Sequence, residues 1–255
     1  MRTVVLGDGL VGRALAKVLR GGHEVYLRDL DKPSGKRTQT EVLNICFPYA
    51  ETFCDAVCGY IKSYRPELTI IHSTVPIGTT RVIAERTKAA VVHSPVNGRH
   101  CELERAMQTF TKIVGATKAQ DASVAAQFLA TAGMSVSVFP SCEDTEAAKL
   151  FCTLRYGLDI KFQKEVKAFC EERQLSFGDV YGLWTALYDN GYEGMGLDVF
   201  SRPIIEDMRG EIGGTCVIPN ARMLPDFALA HELLEFNETL QESIQNSGQP
   251  CLTSK

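Results

Sequence analysis

The densest concentration of chemistry-bearing residues in this 255-residue chain is Gly7-Asp8-Gly9-Leu10-Val11-Gly12. It fits Gly-x-Gly-x-x-Gly, a pattern that in isolation marks only a glycine-rich turn. Here a β-branched run, Thr3-Val4-Val5-Leu6, leads into it, helix-forming Arg13-Ala14-Leu15-Ala16 leaves it, and Asp29 closes the next apolar run. In that context the first two glycines let backbone N–H groups approach a pyrophosphate at the positive end of a helix. The third lets helix and strand pack closely. Asp29 accepts hydrogen bonds from adenosine ribose hydroxyls and repels a 2′-phosphate, so the expected cofactor is NAD in preference to NADP. Arg28 and Lys32, beside it, weaken that discrimination. Gly7, Gly9, Leu10, Val11, Gly12 and Asp29, with Pro48, Ser73 and Thr74 further along, are the residues assigned to the cofactor.

Three other places carry reactive groups. Ser73-Thr74 closes the fourth apolar run, at the sheet edge where ligands of open α/β folds bind, and its hydroxyls suit contact with a nicotinamide ribose or a substrate. The competing reading is a helix N-cap arrangement ahead of Thr79. Lys149 sits among Ala147, Ala148, Leu150 and Phe151. A lysine turned into a cleft loses pKa by desolvation and serves as acid–base, whereas one turned to water is merely solvated. Cys216 follows Gly213-Gly214 in a loop and precedes Pro219-Asn220. A loop thiol near cationic groups ionises and becomes a nucleophile, and the alternative is a buried structural cysteine.

The elements that must position these groups alternate through the first half. Strand-sized apolar runs fall at 4–6, 24–27, 42–47, 68–72, 90–93, 111–114 and 135–139, with amphipathic patterns over 13–20, 51–64, 79–88 and 119–132. That alternation predicts a Rossmann-type doubly wound parallel sheet with helices on both faces. Residues 31–40 read as a loop where a second helix would usually sit. After Pro140 the texture turns helical: one long helix from Glu143 to about Arg173, a second over 177–188, then a glycine-rich flexible stretch from Asn190 to Gly214. A last helix starts at Pro219, is kinked or restarted at Pro225 and runs to about Ile244, ahead of a loose tail over 245–255. The expected domains are a dinucleotide-binding unit over 1–141 and an all-α substrate and dimerisation unit over 142–255.

Composition narrows the partners. A 45% hydrophobic, 23% charged chain reads as an ordinary globular protein. A net charge of −4 without a long basic run argues against nucleic acid and anionic membranes. No apolar run is long enough to span a bilayer, and the N-terminus lacks a signal-peptide pattern. Nine cysteines, an odd number without paired zinc-like spacing, predict a reduced, cytoplasmic protein with mostly buried thiols and no metal. Cys54 and Cys58, one helical turn apart, are weak evidence for a metal.

Three stretches bring a family into view. His72-Ser73-Thr74-Val75-Pro76-Ile77-Gly78-Thr79-Thr80, Glu146-Ala147-Ala148-Lys149-Leu150 and Gly213-Gly214-Thr215-Cys216 resemble, in order and spacing, signatures of the UDP-glucose/GDP-mannose dehydrogenases. With the glycine motif they span most of the chain; the lysine-bearing helix is shared with the wider 6-phosphogluconate and β-hydroxyacid dehydrogenase superfamily. The resemblance implies that Lys149 handles a proton and that Cys216 captures an aldehyde as a thiohemiacetal before a second oxidation. It also implies that Asn220 and Arg222 lie at the substrate. There are departures. Thr153 stands where the family helix carries Asn, Val96 stands where it carries a Glu, and no C-terminal nucleotide-sugar domain follows, which suggests a short form. Pro95-Val96-Asn97-Gly98 is closer to the Pro-Val-Ser-Gly loop of β-hydroxyacid dehydrogenases, which holds a substrate carboxylate, with Arg99 or His100 adding charge. Asn97, Gly98, Thr153, Asn220 and Arg222 are therefore the expected substrate residues. The implied function is NAD-dependent oxidation of a CH–OH group on a small polar substrate of sugar or hydroxy-acid type, by a homodimer paired through the helix 143–173. The alternative is a non-catalytic NAD-binding sensor or complex subunit.

Overall fold

The structure is a computed structural model that describes residues 1–29, 40–98, 100–207 and 210–247. The expected loop over 31–39, Lys32, Arg99, the His100 side chain and most of the expected tail lie outside the described residues. Two compact units are present, Met1–Leu150 and Phe151–Lys255.

The first unit is built on a seven-stranded sheet of order β2-β1-β3-β4-β5-β6-β7. Its strands are β1 (Arg2–Leu6), β2 (Glu24–Arg28), β3 (Val42–Ile45), β4 (Leu68–Ile71), β5 (Val91–His93), β6 (Lys112–Ala116) and β7 (Val136–Val138). All seven fall on the apolar runs of the sequence. Alternation sorts the strand side chains onto two faces. Val5, Val42, Leu68, Ile70 and Val92 pack with α1 (Leu10–Leu19), α4 (Leu103–Thr109) and α5 (Ala119–Thr131). Val4, Leu6, Leu43, Ile45, Ile71 and Val91 pack with α2 (Phe53–Tyr64) and α3 (Thr79–Thr87). The inner strands β1, β3, β4, β5 and β6 are buried on both faces, which is why their runs read as continuously apolar, whereas the edge strands β2 and β7 are only partly covered.

Strand pairing is parallel everywhere except between β5 and β6, which run antiparallel. The chain leaves β5 at the carboxyl edge, passes through α4 against α1, and re-enters the sheet from that same edge, so no crossover is needed. Helix α4 is only 7 residues long, too short for the helical period to stand out in the sequence.

The second unit starts within α6 (Cys142–Glu172), the long helix expected from the sequence. Gly157 lets its neighbours approach: a Cβ there would lie 2.6 Å from both Leu233 and Val217 side chains. Those residues belong to α9 (Ala228–Ser247) and α8 (Val217–Ala221). The glycine-rich stretch departs from expectation at its start. A π-helical turn over Gly178–Leu183 continues into α7 (Trp184–Gly194), so Asn190-Gly191 lies inside a helix. The apolar and aromatic Trp184, Leu187, Tyr188 and Tyr192 carry the helical pattern across that glycine. The last helix is likewise two pieces, α8 beginning at Val217, ahead of Pro219, and α9 restarting after Pro225.

Candidate functional site: the carboxyl edge of the sheet

The chain winds from β1 to β2 on one side and to β3 on the other, which opens a crevice between the ends of β1 and β3. The glycine turn stands in that crevice. Gly7 has φ +107°, and a Cβ there would press on the Cys46–Phe47 backbone at 3.1 Å. At Gly12 a Cβ would collide with the Gly7 carbonyl oxygen, so glycine is required for α1 to start this close to its strand. Above Gly9, the N-cap of α1, the space is open, and no side chain caps the helix. The Leu10 and Val11 amides, in the first turn of an uncapped helix, therefore lie where an anion's partner groups are needed. These features fit a dinucleotide pyrophosphate.

Asp29 follows directly on β2, whose Arg28 pairs with Leu6, and is exposed. Its charge acts on Arg13, whose guanidinium donates to Asp8 at 2.8 Å and is held above its ordinary pKa first by Asp8 and then by Asp29. Pro48 is exposed just beyond β3. The Ser73 hydroxyl donates to the Phe47 carbonyl at 2.6 Å, tying the end of β4 to the end of β3. Thr74 is half-buried beside it, and its hydroxyl makes no hydrogen bond among the described residues.

Neither hydroxyl caps α3. That N-terminus begins at Gly78 (φ +93°) and is capped from another helix: Glu146 of α6 accepts from the amides of Gly78 at 2.6 Å and Thr80 at 2.8 Å. Burial pushes the Glu146 carboxyl up while these bonds pull it down, and the net shift is upward. One turn further along α6, Lys149 is half-buried and its ammonium donates to Asn97 Oδ1 at 3.4 Å. The loop after β5 and the start of α6 are thus brought together. Gly98 has φ +118°, and a Cβ there would collide with Ala106, so the loop turns tightly over α4.

In the second unit, Asn220 is buried and donates to the Thr153 hydroxyl at 3.2 Å, so the residue standing where the family carries Asn is engaged by a neighbour. Cys216 is the exposed N-cap of α8, 3.6 Å from the Thr215 hydroxyl, after Gly214 at φ +85°. Arg222 is exposed at the end of the same short helix. Among the eight described cysteines, Cys101, Cys152 and Cys216 are exposed and only Cys142 and Cys170 are fully buried, so fewer thiols are buried than expected. No cluster of three or more His, Cys, Asp or Glu suited to a metal occurs among the described residues, and no helix there is long and apolar enough to cross a membrane.

Sequence reasoning missed the buried polar residues that brace this edge. His93 is fully buried, with Nδ1 2.8 Å from the Thr145 hydroxyl on α6 and Nε2 3.1 Å from the Ser73 carbonyl; burial pushes it down to about 3. His72 reaches Asn44 Oδ1 at 3.0 Å and the Ser94 carbonyl at 2.9 Å and is held well below its usual value, chiefly by burial. Lys112 donates to the carbonyls of Ser94 and Pro95. The one available signal was a polar residue, Asn44, His72, His93 or Lys112, inside or next to an otherwise apolar run.

No family model matches this sequence, and no curated protein matches it by sequence. Solved structures do match. The UDP-D-ManNAc dehydrogenase of Pyrococcus horikoshii is 16% identical with a TM-score of 0.78, over 98% of this chain and 73% of that one. The 3-hydroxyisobutyrate dehydrogenase of Mycobacterium tuberculosis, determined with L-serine, is 16% identical with a TM-score of 0.72, over 93% of this chain and 92% of that one. A UDP-glucose dehydrogenase from Pyrobaculum islandicum is 18% identical with a TM-score of 0.72, over 96% and 68%. At these identities the likeness establishes a shared fold.

Proposed function

We propose that this protein is an NAD-dependent oxidoreductase acting on a CH–OH group of a small polar substrate, of sugar or hydroxy-acid type. The observation that carries the reading is the meeting of Lys149 and Asn97 at the same sheet edge as the open glycine turn. The fold is that of dehydrogenases of both nucleotide sugars and a hydroxy acid, which supports the reaction class without choosing between the substrates. The turn Gly7–Gly12 and Asp29 would hold the dinucleotide, with Pro48, Ser73 and Thr74 along its far side. When bound, the nicotinamide supplies the hydride acceptor. Lys149, as the neutral amine, takes the hydroxyl proton as the hydride departs and becomes the ammonium, with Asn97 Oδ1 orienting it by accepting one of its N–H bonds. Asn97 and Gly98 line the substrate's loop, and Thr153, Asn220 and Arg222 offer further polar contacts. Cys216 is the nucleophile for an aldehyde product, where a second oxidation occurs.

The Thr153–Asn220 hydrogen bond favours a second reading, a non-catalytic NAD-binding sensor or complex subunit, because it occupies the position of a family substrate group. Reduced-cofactor absorbance across sugars, nucleotide sugars and hydroxy acids separates the two. The enzyme reading expects turnover on one class, and two NADH per substrate if Cys216 participates. In that case Cys216→Ser keeps NAD affinity and loses the second NADH. Binding without turnover on any class would favour the sensor.

A further inference from the structure

Beneath the Ser94–Gly98 loop lies a lysine that the proposed chemistry does not use. Lys112 is the first residue of β6 and only 4% exposed. Because β6 runs antiparallel to β5, with Gly115 opposite His93, its first residues extend past the end of β5 and under the loop. Lys112 Nζ lies 2.8 Å from the Ser94 carbonyl, 2.8 Å from the Pro95 carbonyl and 3.4 Å from His72 Nδ1. Among the described residues it forms no ion pair, so these three groups are what hold a buried ammonium in place.

The proton inventory agrees. Asn44 Nδ2 donates to Thr3 Oγ1 and to the Val4 carbonyl, which turns Asn44 Oδ1 toward His72 Nε2. The ring proton therefore sits on Nε2, and Nδ1 is left as an acceptor facing the Ser94 carbonyl at 2.9 Å. Two acceptors this close repel unless a cation lies against both, and the Lys112 ammonium does so, at 2.8 Å from the Ser94 carbonyl and 3.4 Å from Nδ1. Three N–H groups meet three acceptors.

We propose that Lys112 is a positioning residue for the proposed site: its ammonium clamps Ser94 and Pro95 so that Asn97, two residues on, meets Lys149. The functional half of that statement rests on the oxidoreductase reading; the clamp itself does not. The titratable groups facing Lys112 are His72 just after β4, Cys46 just after β3, His93 on β5 and Lys149 on α6. Burial pushes Lys112 down to about 7, Lys149 adds to that, and Cys46 opposes it. Loss of the proton leaves two donors for three acceptors, so the loop loosens as pH rises through neutrality.

Backbone ¹⁵N relaxation of Val96, Asn97 and Gly98 in the full chain tests this. In the wild type at pH 6 these amides should show rigid order parameters of about 0.85, falling at pH 8 toward the flexible range below about 0.6. Lys112→Met, close in length and apolar, should show the flexible values at both pH values, with β1 and α1 amides rigid throughout. Rigid loop amides in Lys112→Met, or a pH step that survives in it, would overturn the proposal. Should that variant fail to fold, the wild-type series still decides, since a loop equally rigid at pH 6 and pH 8 overturns it. Neither readout needs turnover: a pH-sensitive clamp in a protein without dehydrogenase activity would overturn the functional reading alone.

Discussion

At the residue scale, the carboxyl edge works by placing polar atoms where the sheet gives them no water. His93 and His72 are fully buried; His93 sets its ring nitrogens against the Thr145 hydroxyl and the Ser73 carbonyl, and His72 sets Nε2 against Asn44 and Nδ1 against the Lys112 ammonium. Both are pushed far below the usual imidazole range, His93 to about 3. In the unfolded chain a histidine takes up a proton near pH ~6.5. Between that pH and about 3 the unfolded state therefore binds more protons than the native one, and stability rises with pH across the window. Urea denaturation at pH 6.5 and pH 4 should show a loss of about 2 kcal/mol or more on acidification. His93→Gln, which has no proton to gain, should reduce that loss to the part owed to His72; an unchanged slope would contradict the account. The glycines and Asp29 were legible because their spacing is local. Lys112, His72 and His93 were not, because their meaning comes from neighbours 17 to 52 residues away.

At the element scale, α3 is held at the sheet edge by a cap that comes from another element. α3 starts on a left-handed glycine without a side-chain cap of its own, and Glu146 of α6 takes over that role. Glu146→Ala would leave two amides without partners, at a cost of about 1–3 kcal/mol, and should release the Ser73–Gly78 segment. A lower melting temperature with increased amide exchange at Gly78 and Thr80 is the expected result; unchanged exchange there would mean that α3 caps itself. All seven strands were readable from apolar runs, and α1, α2, α3 and α5 from four amphipathic patterns. The antiparallel return of β6 was not, since strand–helix alternation looks the same whichever edge the chain re-enters. Nor was the persistence of α7 through Asn190-Gly191, where aromatic residues on one face outweigh the helix cost of a glycine.

At the scale of the whole molecule, we propose that the protein is a homodimer paired through α6. Phe162 and Phe169 on that helix are 60% and 51% exposed, and Trp184 and Leu187 on α7 are 64% and 56% exposed. Large apolar side chains so exposed on consecutive helices favour burial by a second copy. Light scattering at micromolar concentration should give twice the 28.1 kDa chain mass, whereas a monomer would sink the proposal. The central claim is that the crevice between β1 and β3 is a nicotinamide dinucleotide site with Asp29 selecting against a 2′-phosphate. Isothermal titration of the purified protein with NAD and with NADP tests it most directly. The account predicts one NAD bound per chain, at least about tenfold more tightly than NADP, since one unfavourable charge contact is worth about 1.4 kcal/mol or more. Equal or tighter binding of NADP would contradict the role given to Asp29, and failure to bind either would contradict the site itself.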